Sequence, residues 1–294
     1  MKNFLPQSSS DFIYAIIVEE YGLLGGVVLI ILYLLLLYRI VVISYKTVNI
    51  FGKLTVIGLG IPIILQAGPS CRAHTPIPLL GKMFRHLASQ TKTHVCCHID
   101  HGYTFRECAE GIDSGFTSVM FDGSKLSLKE NIKTTSKIVK KAHDAKVSVE
   151  GEIGFVGYAN GKSSEGTLPN EAIIFAKESN VDAMAISVGN THLQTNKIAK
   201  IDFDKIKTIQ KSISTPLVLH GGSGIPDGIR KKLARETNIA KFNIGTELRM
   251  TFGNALRKQV KNNPLIYDRL QLLKPTMPEI TKITKKIIKN FGPQ

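Results

Sequence analysis

From about Thr93 to Gly245 the chain alternates short β-branched and apolar runs with longer stretches of helical period, and this alternation restricts the fold more than any other feature. The runs are HVCCHID, FTSVMFD, VSVEGEI, DAMAISV, PLVLHG and AKFNIG. Strand–helix units of this kind build a parallel sheet, because each parallel connection needs a crossover that a helix supplies. Helix-start signals fall between the runs. Thr104 with Glu107 and Ser127 with Glu130 have capping-box spacing, and Pro226 suits a first helical turn. An earlier run, Ile61 to Gln66 (IPIILQ), predicts a seventh strand, followed by a helix near Leu79 to Gln90. Eight such units close a (β/α)8 barrel. The expectation is therefore an α/β fold, a TIM-type barrel lacking its first strand–helix unit.

The place of that unit is taken by Tyr21 to Tyr38, YGLLGGVVLIILYLLLLY, a run without a charged residue. Its length suffices for a membrane-spanning helix, whereas a buried core helix usually keeps a polar face. Glu19 and Glu20 precede it, and Arg39, Lys46 and Lys53 follow. The positive-inside tendency puts the downstream side in the cytoplasm. A basic flank before the run and a small-residue cleavage site after it are both missing, which argues against a cleaved signal peptide. Leu54 to Ala67 is also uncharged but short for a span. The predicted organisation is a membrane-spanning segment over 1–60 and a barrel over 61–294. Its catalytic part is expected in the cytoplasm, anchored in the inner membrane by residues 21–38.

The net charge of +15 falls almost wholly after residue 53, in stretches such as KIVKKAHDAK and ITKITKKIIK. These read as solvated helix faces. No recognition motif or interleaved aromatic accompanies them, so nucleic acid is not an expected partner. Cys71, Cys96, Cys97 and Cys108 lack paired metal spacing and read as reduced thiols of a cytosolic domain.

In such a barrel the chemistry gathers at the carboxyl ends of the strands, and the notable polar residues all fall there. Asp100 and His101 close one predicted strand, Asp122 and Ser124 follow the next, and Glu150 and Glu152 end the third. Asn190 with His192, and then His220, follow later strands. A lone histidine at a strand end is more often a hydrogen-bonded structural residue. Three converging from separate strands, His101, His192 and His220, fit a divalent metal with an open position. Gly221, Gly222, Ser223 and Gly224, then Asn243, Gly245 and Thr246, offer N–H groups and hydroxyls beside helix starts, where anions bind.

The segments PIILQA, HIDHG, GFTSVMFDGS, VEGEIG, GNTH, PLVLHGGSGI, FNIGTELR and YDRLQLLKP resemble the class II fructose-bisphosphate and tagatose-bisphosphate aldolases from about residue 62 to 294. The resemblance implies Zn2+ held by His101, His192 and His220, with Asp100 as general acid/base. Glu152 and Asp122 match positions of alternative or second metal binding, and a monovalent cation belongs to the same pattern. Ser223, Asn243 and Thr246 match the substrate and phosphate loops. The implied reaction is cleavage of a ketose 1,6-bisphosphate, fructose or tagatose, to glycerone phosphate and glyceraldehyde 3-phosphate. No Schiff-base lysine is then required, and the lysines fall mainly in helix-like or loop segments, with none at a strand end placed to attack a carbonyl. The family resemblance also favours a homo-oligomer.

Departures from the pattern sustain a rival reading. Leu193 follows GNTH where the family usually has glycine, the segment FVGYANGKSSEGT is short and keeps Glu165 as its only carboxylate, and the first strand is absent. The rival is a catalytically impaired remnant that still binds metal or sugar phosphate. PQSSSDFIYAIIVEEYGLLGGVVLIILYLLLLYRIVVI has a resemblance of its own, to late transmembrane regions of the SEDS peptidoglycan glycosyltransferases of cell division and rod shape. Such a junction reads as a gene fusion, a recombined gene or an assembly artefact.

Overall fold

The computed structural model describes residues 13–46, 63–91 and 93–291, with the side chains of 13–16, 19, 36–37 and 39–46 excepted. Within them seven parallel strands curl into a half-barrel in the order β1 to β7. These are β1 (Ile63–Ala67), β2 (Val95–Gly102), β3 (Ser118–Phe121), β4 (Ser148–Ile153), β5 (Ala183–Ile186), β6 (Leu217–Leu219) and β7 (Ile239–Phe242). Each strand expected from the β-branched runs is present. Ile61 and Pro62, the start of the expected first one, lie outside the described residues. The helices are α1 (Ile13–Lys46), α2 (Pro69–His74), α3 (Ile77–Ser89), α4 (Phe105–Asp113), α5 (Leu128–Asp144), α6 (Pro169–Ser179), α7 (Phe203–Ser212), α8 (Asp227–Glu236), α9 (Thr246–Asn262), α10 (Arg269–Leu273) and α11 (Met277–Phe291).

Local chemistry explains these boundaries. Thr104 and Ser127 cap α4 and α5, each accepting from the backbone N–H of a glutamate that reaches back to it, Glu107 and Glu130. Pro226 stands one residue earlier than expected, at the N-cap of α8. The lysine-rich runs lie on α5 and α11. Ile138, Val139 and Ala142 of α5 face inward, while Lys282, Lys285, Lys286 and Lys289 of α11 are exposed.

The main core lies between sheet and helices, where Ile99, Val119, Phe121, Phe175, Ile206 and Leu217 are fully buried. The concave face carries a second, smaller apolar cluster of Met120, Ala185 and Val218. Register places polar residues beside it: Met120 pairs with Glu150, Ala185 with Glu152, and Val218 with Lys241. Thus the alternation that sends apolar side chains outward to the helices sends ionisable ones into the hollow.

The expected membrane-spanning helix finds no support in the described residues. Among the described residues no helix is long and apolar enough to cross a membrane. Helix α1 is interrupted at Gly22, whose φ of 66° and ψ of −172° are not helical, so the run expected as a span starts on a break. Residues 47–62, which include most of Leu54 to Ala67, lie outside the described residues.

Candidate active site

The site begins at an irregularity in β2. Pairing with β3 shifts register between Ile99 and Gly102, and His101 adopts φ 53°. In a regular strand Asp100 and His101 would point to opposite faces. The shift turns His101 back so that both reach the hollow, a bulge of the kind often found beside active sites. Holding a non-glycine residue left-handed costs about 1–3 kcal/mol, which the surrounding structure must offset.

His101, His192 and His220 converge as expected, each offering a ring nitrogen within 4.8 Å of the others. Their ring centroids are 4.6–5.5 Å apart. Asp122 and Glu152 join from β3 and β4, with His101 Nδ1 2.8 Å from Asp122 and 3.5 Å from Glu152. His101, Asp122 and Glu152 thereby form a second group with metal-holding geometry.

Electrostatics separates the rings. Burial opposes charge on His101, but Asp122, Asp100 and Glu152 outweigh it and raise its pKa to about 9. Burial and then the His101 charge lower His192 to about 4, and the same causes hold His220 well below its ordinary value. Both rings are therefore neutral, the form that binds metal. Burial works against ionisation of Asp122, yet hydrogen bonds from His101 and Ser124 bring it down to about 2. Burial and the neighbouring Asp122 push Glu152 well up.

The donor set fits Zn2+. His220 Nδ1 and Glu152 Oε2 are buried without a hydrogen-bond partner, 3.5 Å apart, and the same Glu152 oxygen lies 3.5 Å from His101 Nδ1. Orphaned buried atoms are costly unless something occupies the space between them, and nitrogen and carboxylate donors in this number suit zinc.

Asp100 lies beside this cluster. Its Oδ1 accepts from Asn243 Nδ2 at 3.0 Å and its Oδ2 from Gln66 Nε2 at 3.2 Å. The anion loops are partly as expected. Ser223 and Asn243 are buried beside the cavity, and Gly245 and Thr246 start α9. Gly221 takes φ 64°, and a Cβ there would lie 2.2 Å from the carbonyl oxygen of Thr191, so glycine is required. One expectation fails: Gly222 spends its N–H on the Asn243 carbonyl of another loop and Gly224 its own on Gly221 within the same turn, so neither faces an anion.

Several residues of the site were not singled out from sequence. Tyr158 stacks on His192 with centroids 5.0 Å apart, and Arg249 lines the cavity beside Thr246. Gln66 and Tyr103 also line it. Lys241 lies in β7, within the run AKFNIG expected as a strand, its side chain 10% exposed against Glu150. Its hydrophobic neighbours in sequence gave no sign of an inward ammonium. Glu165 pairs with Lys162 at 2.9 Å and is exposed, so it does not reach the histidines here. The cavity, about 800 Å³, continues from the site into the gap between the sheet edges, where Ile63, Ile64, Ile239 and Phe242 face Ile287 and Phe291 of α11.

Fold and site together define a βα-barrel enzyme whose reactive groups sit at the carboxyl ends of the strands. Residues 53–294 match the family described as fructose-bisphosphate aldolase class-II. The chain belongs to the class II fructose-bisphosphate aldolase family and is by class an aldehyde-lyase. A fructose-bisphosphate aldolase of Staphylococcus epidermidis is 37% identical over 203 residues, covering 67% of this chain and 70% of that one. A 6-phospho-5-dehydro-2-deoxy-D-gluconate aldolase of Shouchella clausii is 37% identical, covering 67% and 68%. Among solved structures, the YdjI aldolase of Escherichia coli K12 superposes with a TM-score of 0.65 at 28% identity, over 79% of this chain and 81% of that one. Residues 2–76 match a second family, described as cell cycle protein, overlapping the first at 53–76.

Proposed function

We propose that the chain performs zinc-dependent aldol cleavage and condensation of a ketose 1,6-bisphosphate, fructose or tagatose, giving glycerone phosphate and glyceraldehyde 3-phosphate. The observation that carries this reading is the convergence of His101, His192 and His220, with the Nδ1 of His220 buried and unpartnered among them. These three histidines would hold the zinc, and Glu152 with Asp122 would serve an alternative or second metal position. When bound, zinc supplies a Lewis acid that polarises the ketose carbonyl.

The remaining work falls to the chain's own groups. Asp100 takes the C4 hydroxyl proton, the C3–C4 bond breaks with its electron pair passing toward the carbonyl as the aldehyde forms, and a proton delivered to C3 completes glycerone phosphate. Gln66 and Asn243 hold the carboxylate so that one proton is moved at a fixed place. Ser223 presents its hydroxyl, already accepting from Glu247 N–H at 3.1 Å, and Asn243, Gly245, Thr246 and Gly221 complete the phosphate-facing wall. Gly222 supports that wall from behind.

The division into residues 1–60 and 61–294 belongs to the same reading, with the barrel as the cytoplasmic catalytic part and a homo-oligomer as its assembly. Cleavage of fructose and tagatose 1,6-bisphosphates before chelation, after it and with zinc restored tests the proposal. Zinc-restored cleavage that disappears in His220→Ala supports it, and metal-independent cleavage sinks it. A second reading, an impaired remnant that binds zinc without turnover, is favoured by Leu193, which lines the site at φ 58°, and by sheet edges that no further strand covers among the described residues.

A further inference from the structure

Deeper in the hollow than the three rings, a lysine and a glutamate are buried together, and the proton transfer at Asp100 uses neither. Lys241 Nζ lies 2.6 Å from Glu150 Oε2 and 3.2 Å from His98 Nε2. Glu150 Oε1 meets His220 Nε2 at 3.0 Å, and His98 Nδ1 meets Ser118 Oγ at 2.8 Å. The chain of contacts starts in β3 at Ser118 and crosses to β2, β7 and β4. It ends at His220, the residue after β6.

The direction of each hydrogen bond follows from the groups. An ammonium has three donors and no acceptor, so His98 Nε2 accepts from Lys241. The proton of the His98 ring then sits on Nδ1 and is donated to Ser118. A carboxylate facing an ammonium only accepts, so His220 must donate from Nε2 to Glu150. A neutral imidazole has one N–H, which leaves His220 Nδ1 bare. That is the atom found buried without a partner.

We infer that Glu150, held by Lys241, is the positioning residue that locks His220 in its Nε2–H form and turns the bare Nδ1 toward the metal. The inference rests on the zinc reading above. A purely structural ion pair is a weak account of this burial, because desolvation offsets most of the attraction between buried charges. Partners behind a metal ligand fix its ring orientation and proton position, and their loss weakens metal binding by about 10–100-fold. Here the partner is in turn held by a lysine on an edge strand, so the placement of β7 bears on a ligand that follows β6.

The test uses the full-length chain with Glu150→Gln and Lys241→Met. Zinc affinity is read by competition with a chromophoric chelator. Histidine proton positions are read from side-chain 15N shifts of the metal-free protein, the His220 signals being those lost in His220→Ala. An amide at position 150 would turn its oxygen to Lys241 and its NH2 to His220, moving the ring proton to Nδ1. Expected are an Nε2–H ring in the parent and an Nδ1–H ring in Glu150→Gln, with zinc binding about 10–100-fold weaker in both variants. Variants that bind zinc as tightly as the parent overturn this inference alone. A parent that never retains zinc overturns the metal reading with it. If either variant fails to fold, the parent still decides, since an Nδ1–H His220 there refutes the lock.

Discussion

Asn243 donates from its side-chain amide to Oδ1 of Asp100 at 3.0 Å, joining residues 143 positions apart in the chain. Asn243 follows β7 and Gln66, the other donor, lies in β1, so the carboxylate is gripped from both edges of an open sheet. Removing the carboxylate in Asp100→Ala should lower kcat by about 10²–10⁴-fold, the usual worth of a positioned acid–base group. Asn243→Ala leaves the carboxylate but frees its aim, and a loss of about 10²-fold is expected. Both variants should keep the parent zinc content by metal analysis. Parallel loss of zinc would place Asp100 among the ligands instead.

Zinc should stabilise the fold as well as support turnover. Free zinc at a thousandfold excess over its dissociation constant contributes about 4 kcal/mol to a protein that binds it only when folded. Chelation should therefore lower Tm in the parent and leave Tm unchanged in His192→Ala and His220→Ala. Equal shifts in all three proteins would show that the chelator acts elsewhere.

Leu193 occupies a backbone conformation, φ 58°, that side chains other than small polar ones rarely adopt. Leu193→Gly should leave stability nearly unchanged, within about 1 kcal/mol, because relief of this strain offsets the added freedom of the unfolded chain. Leu193→Val, β-branched at the same φ, should destabilise by about 1 kcal/mol or more. Urea unfolding of the pair checks this. If the glycine variant is the less stable one, the side chain packs more than its 46% exposure implies.

Asp227 starts α8 with Lys197 and Arg230 against its carboxylate. Burial opposes its ionisation, but the Lys197 hydrogen bond and the Arg230 charge outweigh it, so its folded pKa lies below the unfolded one. The stabilisation is then complete above the unfolded value, about pH 4, and is lost as pH falls through the lower folded value. The gap in Tm between the parent and Asp227→Asn should be full at neutral pH and close under acid. A gap that widened toward low pH would reverse the sign.

The strands and most helices were legible because their signals are local: a β-branched run between turn residues, or a serine three places before a glutamate. The three histidines were legible for the same reason, each standing where a run ends. What sequence did not reveal depends on two elements at once. Gly222 looks like an anion donor until the carbonyl of Asn243, on another loop, is seen to take its N–H. Lys241 looks like one more lysine in a basic chain until β-sheet register turns it inward beside Val218. Tyr158 reaches His192 only through the backbone bridge that joins the two residues.

The register slip in β2 has one more consequence. A regular strand offers one inward group every two residues, about 6.6 Å apart. By slipping, this strand sets Asp100 and His101 side by side in the hollow, so a peptide link fixes the spacing between proton carrier and imidazole. His192 and His220 follow other strands, so their distances from this pair depend on how the sheet curls. The adjacent pair travels as one rigid piece, and the alignment most exposed to an unclosed barrel is left to the partners that surround it.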